Sequence, residues 1–184
     1  MKTISILGST GSIGCSALEV IRLHPEKFDI FALSGYENID LLFKQAIEFN
    51  PTYIVTKDEE SQIKLSDLLK KKNQGTEVLF GPEGYKFIAG HKEVSTVLAA
   101  ITGAAGLIST MEAAVKGKRI LLANKESMVM AGNLLSEVSA KNNGIIIPVD
   151  SEHNAIFQVI HDQKNQDEIN KLILTASGGP FRNS

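Results

Sequence analysis

Short runs of β-branched and aliphatic residues alternate along this chain with apolar stripes at helical spacing, and the connections between them are brief. Thr3 to Leu7, Phe28 to Leu33, Tyr53 to Val55, Val78 to Phe80, Val94 to Ile101, Ile120 to Ala123 and Gly144 to Val149 have the length and composition of buried strands. Between them, Ile13, Ala17, Val20 and Ile21 fall on one helical face, and Ile39, Leu42, Phe43, Ala46 and Ile47 on another. Glu59 to Lys72 reads as a charged helix around Ile63, Leu65, Leu68 and Leu69, and Glu83 to Ala89 as a short one. Two more helices follow, around Ile108, Met111, Ala114 and Val115, and around Leu134, Leu135 and Val138. Strands joined through helices by such short connections pair in parallel, cross over right-handed and bury both sheet faces. The predicted class is therefore α/β, a doubly wound, mostly parallel sheet.

The first strand-to-helix junction is Gly8-Ser9-Thr10-Gly11-Ser12-Ile13-Gly14. In a strand, glycine loop, helix order, the glycines let the backbone turn tightly and approach a pyrophosphate, which rests on the unpaired N–H groups and positive dipole end of the helix. Thr10 and Ser12 add hydroxyl donors. The spacing G-x-x-G-x-x-G varies on the usual G-x-G-x-x-G of Rossmann-type sheets, and without its context it also suits a tight connection that binds nothing. No Gly-Lys-Ser or Gly-Lys-Thr follows, which excludes a P-loop. The end of the second strand, where such folds meet the adenosine ribose, is Ser34-Gly35-Tyr36-Glu37-Asn38. Glu37 argues for NAD if it faces the ribose, and an acid before a helix start is equally well explained by the helix dipole.

Charge and cysteine content narrow the classes of function. A formal charge of -2 over 184 residues gives no general attraction for nucleic acid, and the one basic run, Lys70-Lys71-Lys72, complements a helix C-terminus. The single cysteine, Cys15, excludes an internal disulfide, Met1-Lys2 leads straight into a strand, and no apolar run approaches the length that crosses a bilayer. A cytoplasmic protein without membrane or nucleic-acid partners is the expectation.

Two further clusters sit after predicted strands, where ligands bind in open α/β sheets. Asn124-Lys125-Glu126 places amide, cation and anion side by side, suited to a substrate oxyanion or phosphate as well as to an ordinary polar turn. In Asp150-Ser151-Glu152-His153-Asn154, two carboxylates can chelate a hard divalent cation whose remaining positions go to other oxygens, while Ser151 is the expected cap of a helix. His153 has no second His or Cys at zinc-ligand spacing. Leu172 to Ala176 reads as a last strand, running into Ser177-Gly178-Gly179-Pro180-Phe181-Arg182, and its abrupt end predicts a truncated chain.

Gly8 to Gly14, Leu122 to Ser127, Pro148 to Gln158 and Ser177 to Arg182 together resemble the 1-deoxy-D-xylulose 5-phosphate reductoisomerases, from one end of the chain to the other. The resemblance implies an NADPH-dependent oxidoreductase that, with Mg²⁺, Mn²⁺ or Co²⁺, rearranges and reduces that sugar phosphate to 2-C-methyl-D-erythritol 4-phosphate in the non-mevalonate isoprenoid route. It implies cofactor contacts from Thr10, Gly11, Ser12, Ile13, Gly35, Asn38, Asn124 and Glu126. Metal ligation falls to Asp150 and Glu152, substrate binding to Lys125, Ser151, Glu152 and Ser177, and catalysis to Lys125 and Glu152. Residues 1–148 become an NADPH-binding domain, and 149–184 the start of an α+β catalytic domain whose third metal carboxylate lies beyond Ser184. Full-length members are homodimers, and this chain alone is expected to be inactive. The family commonly carries Lys or Arg where Glu37 stands, and an acid facing the extra phosphate would repel it. The choice between NADPH and NADH therefore stays open at this point, with NADPH the expectation if Glu37 points away. Two competing readings are a dinucleotide-binding module without catalysis, and a semialdehyde-type dehydrogenase, whose required cysteine would have to be Cys15.

Overall fold

The computed structural model describes residues 1–161 and 169–173. The chain runs β1 (Lys2–Leu7), α1 (Ser12–Leu23), β2 (Phe28–Ser34), α2 (Ile39–Phe49), β3 (Tyr53–Thr56), α3 (Glu59–Lys70), β4 (Glu77–Phe80) and α4 (Gly81–Gly90). It continues through β5 (Thr96–Ala99), a 3-10 turn (Ala104–Gly106), α5 (Leu107–Val115), β6 (Arg119–Leu122), α6 (Lys125–Lys141), β7 (Ile145–Pro148) and α7 (Ser151–His161). The strands form one seven-stranded sheet in the order β4-β3-β2-β1-β5-β6-β7, and every pairing is parallel. From β1 the chain winds outward to β4, then returns to the other side of β1 and winds outward again. The reversal point therefore lies between β1 and β5.

Each side of the sheet has its own core. Leu18 and Ile21 of α1, Leu42 and Ala46 of α2 and Leu65 and Leu69 of α3 pack on Ile4, Ile6, Leu33 and Ile54. On the opposite face Ile88 and Ala89 of α4, Ala113 and Ala114 of α5 and Leu135 of α6 pack on Leu7, Phe31, Val97 and Ile120. The strands read as continuous apolar runs because both faces are covered, as a doubly wound sheet requires.

The roll of α1 differs from the expected one. Its inward residues are Gly14, Leu18 and Ile21, while Ile13 is 42% and Val20 52% exposed. Gly14 decides this: a Cβ there would lie 2.5 Å from Ser9 Cα, so the helix lies with its glycine against the loop backbone, which turns Ile13 and Val20 outward. The fifth strand is shorter than its apolar run, since Val94 and Ser95 precede the ladder and Ala100 and Ile101 already leave it. Likewise α3 stops at Lys70, leaving Lys71 and Lys72 beyond it. Leu172 and Ile173 are in no strand, and residues 174–176 fall outside the described part.

Lys118, between α5 and β6, is buried and donates from Nζ to the carbonyls of His91 and Val94, each at 2.6 Å. Burial lowers its pKa, with Lys116 adding to the effect. Replacing Lys118 with methionine keeps most of the side-chain volume but orphans two buried carbonyls. A loss of about 2–3 kcal/mol is expected, or about 4–12 °C in Tm for a domain of this size, measured by thermal denaturation.

Candidate active site

The glycine loop lies at the sheet's reversal point, fixed by groups that point away from the crevice. Gly8, at φ 88°, donates its N–H to Ser34 Oγ at 2.9 Å, and Ser9 donates its own to the Ser34 carbonyl at 2.7 Å. Ser9 is fully buried, its hydroxyl donating to Gln45 Oε1 at 2.7 Å while Gln45 Nε2 returns a bond to the Ser9 carbonyl at 2.9 Å. Neither residue stood out in the sequence. Gln45 sat among apolar positions of an amphipathic helix, and Ser9 was one of three hydroxyl residues in the loop.

The first turn of α1 is left open. Gly11 at its N-cap supplies no side-chain hydrogen bond, and no acidic residue occupies the first turn. By contrast α2, α3 and α6 carry side-chain caps from Asn38, Asp58 and Asn124, with acids in their first turns. An uncapped helix with unpaired N–H groups behind a close-packed glycine turn fits an anion such as a pyrophosphate. Thr10, Gly11, Ser12 and Ile13 surround that opening.

After β2, Gly35 is buried where a Cβ would come within 3.1 Å of Thr10 Cγ2 and 3.0 Å of Leu42 Cδ2, so the ends of β1 and β2 meet closely. Asn38 spends its Oδ1 on the N–H of Leu41 at 3.0 Å, and Glu37 is exposed. Tyr85 donates its hydroxyl to the Gly35 carbonyl at 3.3 Å, and burial pushes that hydroxyl up to about 12, so it stays protonated at neutral pH.

At the end of β6, Asn124 is only 2% exposed and every part of its amide is engaged. Nδ2 donates to the carbonyls of Ile101 (2.7 Å) and Gly103 (2.9 Å), while Oδ1 accepts the N–H of Ser127 at 3.1 Å. Its side chain thus ties the loop after β5 to the start of α6. Lys125, next in sequence, is exposed and lines a cleft of about 860 Å³ between α6, β7 and α7.

Asp150 lines the same cleft, as does His153, with Met128, Ile156 and Phe157 forming apolar wall. Asp150 rather than Ser151 caps α7: its Oδ1 accepts the His153 N–H at 3.0 Å and lies 2.5 Å from His153 Nδ1. An aspartate at this position satisfies the first-turn N–H better than the following serine, which sits one residue too far along. Burial raises the Asp150 pKa, but the bonds from His153 outweigh it and the net shift is downward. Ser151 donates its hydroxyl to Glu152 Oε2 at 2.6 Å, which holds the Glu152 carboxyl below its ordinary range. Both acids are therefore ionised at neutral pH, hard oxygen donors of the kind Mg²⁺ and Mn²⁺ take. Among the described residues no group of three or more His, Cys, Asp or Glu side chains is placed to hold a metal. Ser177 lies outside the described residues. Cys15 is half-buried on α1, its Sγ 3.5 Å from the Ser9 carbonyl, a packing position behind the loop.

An open parallel sheet with a glycine turn at its reversal point, followed by an uncapped helix, is an α/β fold of the Rossmann type. Residues 4–132 match the family model for 1-deoxy-D-xylulose 5-phosphate reductoisomerase, and residues 146–184 match the model of its C-terminal domain. The chain belongs to the 1-deoxy-D-xylulose 5-phosphate reductoisomerase family. It is 51% identical to the reductoisomerase of Lawsonia intracellularis over 99% of its length and 45% of that protein, and 44% identical to that of Saccharophagus degradans over 48% of that protein. It thus spans about half the length of the curated relatives it matches. The Zymomonas mobilis enzyme, solved in complex with NADPH, superposes with a TM-score of 0.92 at 37% identity, covering all of this chain and 47% of that one. A reductoisomerase solved with NADPH, fosmidomycin and magnesium gives 0.84 at 49% identity over 86% of this chain and 38% of that one. A homoserine dehydrogenase from Archaeoglobus fulgidus, at 15% identity and a TM-score of 0.51, shares the fold alone.

Proposed function

We propose that this chain carries the cofactor-binding part and the first catalytic residues of an NADPH- and divalent-metal-dependent 1-deoxy-D-xylulose 5-phosphate reductoisomerase. The whole protein would convert that sugar phosphate to 2-C-methyl-D-erythritol 4-phosphate. The observation that carries this reading is the open N-terminus of α1 at the reversal point, with Lys125 and Asp150 brought to one cleft two strand ends away. Relatives solved with NADPH and with magnesium support it.

In this reading residues 1–148 bind the dinucleotide and 149–184 begin the metal- and substrate-binding domain. Thr10 to Ile13 hold the pyrophosphate through backbone N–H groups and hydroxyls, and Gly35 admits the ribose. Asn38 and Asn124 act mainly as caps that set the loops around the cofactor, and Glu126 stands near its nicotinamide end. Lys125 neutralises charge on the bound sugar phosphate. Asp150 and Glu152, held ionised by His153 and Ser151, offer oxygens to the metal, and Ser151, Glu152 and Ser177 face substrate. The cation supplies polarisation of a carbonyl and NADPH supplies the hydride. A homodimer in the cytoplasm completes the proposal; among the described residues no helix is long and apolar enough to cross a membrane.

Calorimetric titration is expected to show saturable NADPH binding by the chain alone. Steady NADPH oxidation with the sugar phosphate and Mn²⁺ is expected only when the chain is joined to the remaining carboxyl-terminal half of the Zymomonas relative. Absence of NADPH binding would refute the reading, and turnover by the chain alone would refute the division of the site. The packing of Cys15, the sole cysteine, behind the glycine loop against the Ser9 carbonyl disfavours the cysteine-dependent dehydrogenase.

A further inference from the structure

A second, smaller cavity of about 270 Å³ lies where β2, β3, β4 and β5 end. Tyr36, Pro82, Tyr85, Ile101 and Ile108 give it flat and apolar walls of the kind that take a heteroaromatic base. Lys57, the first residue after β3, stands at its rim with Nζ 5.4 Å from the centroid of the Tyr36 ring. That distance is a cation–π contact, and it steadies an otherwise long and mobile ammonium beside the cavity. Tyr36 as a residue is 65% exposed.

NADPH differs from NADH only by a phosphate on the adenosine ribose, and recognition of that phosphate requires a cation beside the end of the second strand. From Gly35 to Asn38 the chain offers none, and Glu37 is an exposed acid. Lys57 Nζ also lies 3.8 Å from Asp58 Oδ2, a long ion pair at the surface that a dianionic phosphate can displace, while Asp58 Oδ1 accepts the N–H of Ser61 at 2.9 Å and keeps that carboxylate at the start of α3. We infer that Lys57, held over Tyr36, binds the 2′-phosphate of NADPH from the third strand, standing in for a basic residue at the end of the second. The inference rests on the dinucleotide reading above and adds to it the residue that sets cofactor preference.

Calorimetric titrations of NADPH and NADH against the chain and its Lys57→Gln and Lys57→Arg variants test it. The chain is expected to prefer NADPH. Lys57→Gln should weaken NADPH by about tenfold or more and leave NADH within about twofold, while Lys57→Arg keeps the preference. Equal affinity of the parent chain for both dinucleotides, or a Lys57→Gln variant with an unchanged NADPH-to-NADH ratio, overturns the role of Lys57 but leaves dinucleotide binding intact. Binding of neither dinucleotide by the parent chain overturns both.

Discussion

A Gly14→Ala chain is expected to melt about 6–12 °C below the parent, a loss of about 3 kcal/mol or more for a domain of this size. The added methyl would meet the Gly8 carbonyl oxygen and come within 2.5 Å of Ser9 Cα, and these are backbone atoms that cannot swing aside. Relief requires α1 to withdraw from the loop, which would pull Leu18 and Ile21 out of the core beneath α1, α2 and α3. Withdrawal also spreads the N–H groups at the start of α1, so the variant should lose NADPH binding even below its melting point. Gly75→Ala is the matched control, because a Cβ there has nothing within 4 Å. It should be neutral or stabilise by about 0.4–1 kcal/mol through the unfolded chain. Equal effects of the two substitutions in thermal denaturation would show that close packing does not hold the loop.

The second large effect is expected at Asn124. Replacement by alanine removes the cap of α6 and leaves the Ile101 and Gly103 carbonyls without their buried donor. A cost of about 3 kcal/mol follows. Asn124→Asp discriminates between the two roles. Aspartate caps a helix as well as asparagine, so capping alone predicts little change. The amide donors are lost, however, and a carboxylate would face two carbonyl oxygens in a site only 2% exposed in the parent. Aspartate should therefore be at least as destabilising as alanine in chemical denaturation. A near-parental Asn124→Asp chain would mean that the tie to the loop after β5 contributes little.

The sheet was legible because its strands are apolar on both faces and its helices on one, a pattern that length and periodicity capture. The glycine loop was legible because its position between strand and helix has few other uses. The roll of α1 was not, since apolar counting weighs Ile13 and Val20 above a glycine, while packing turns inward the residue that lets backbones touch. The polar interior was hidden too. Gln45 and Ser9 find each other across α2 and the first loop, a long-range pairing without local signature. At the second cluster, Asp150 and Ser151 are both good caps, and only the position at which α7 begins selects the first. Lys57 carries no motif at all. Its place at the cavity rim follows from which strands are neighbours.

The bonds between Ser9, Ser34 and Gln45 have a consequence for the speed and selectivity of recognition. The conformational entropy of the glycine turn is surrendered during folding, under the control of side chains that never face the crevice. An incoming anion then meets a template already set, so its affinity is not reduced by the ordering of a floppy loop. Such a surface discriminates by shape at first encounter.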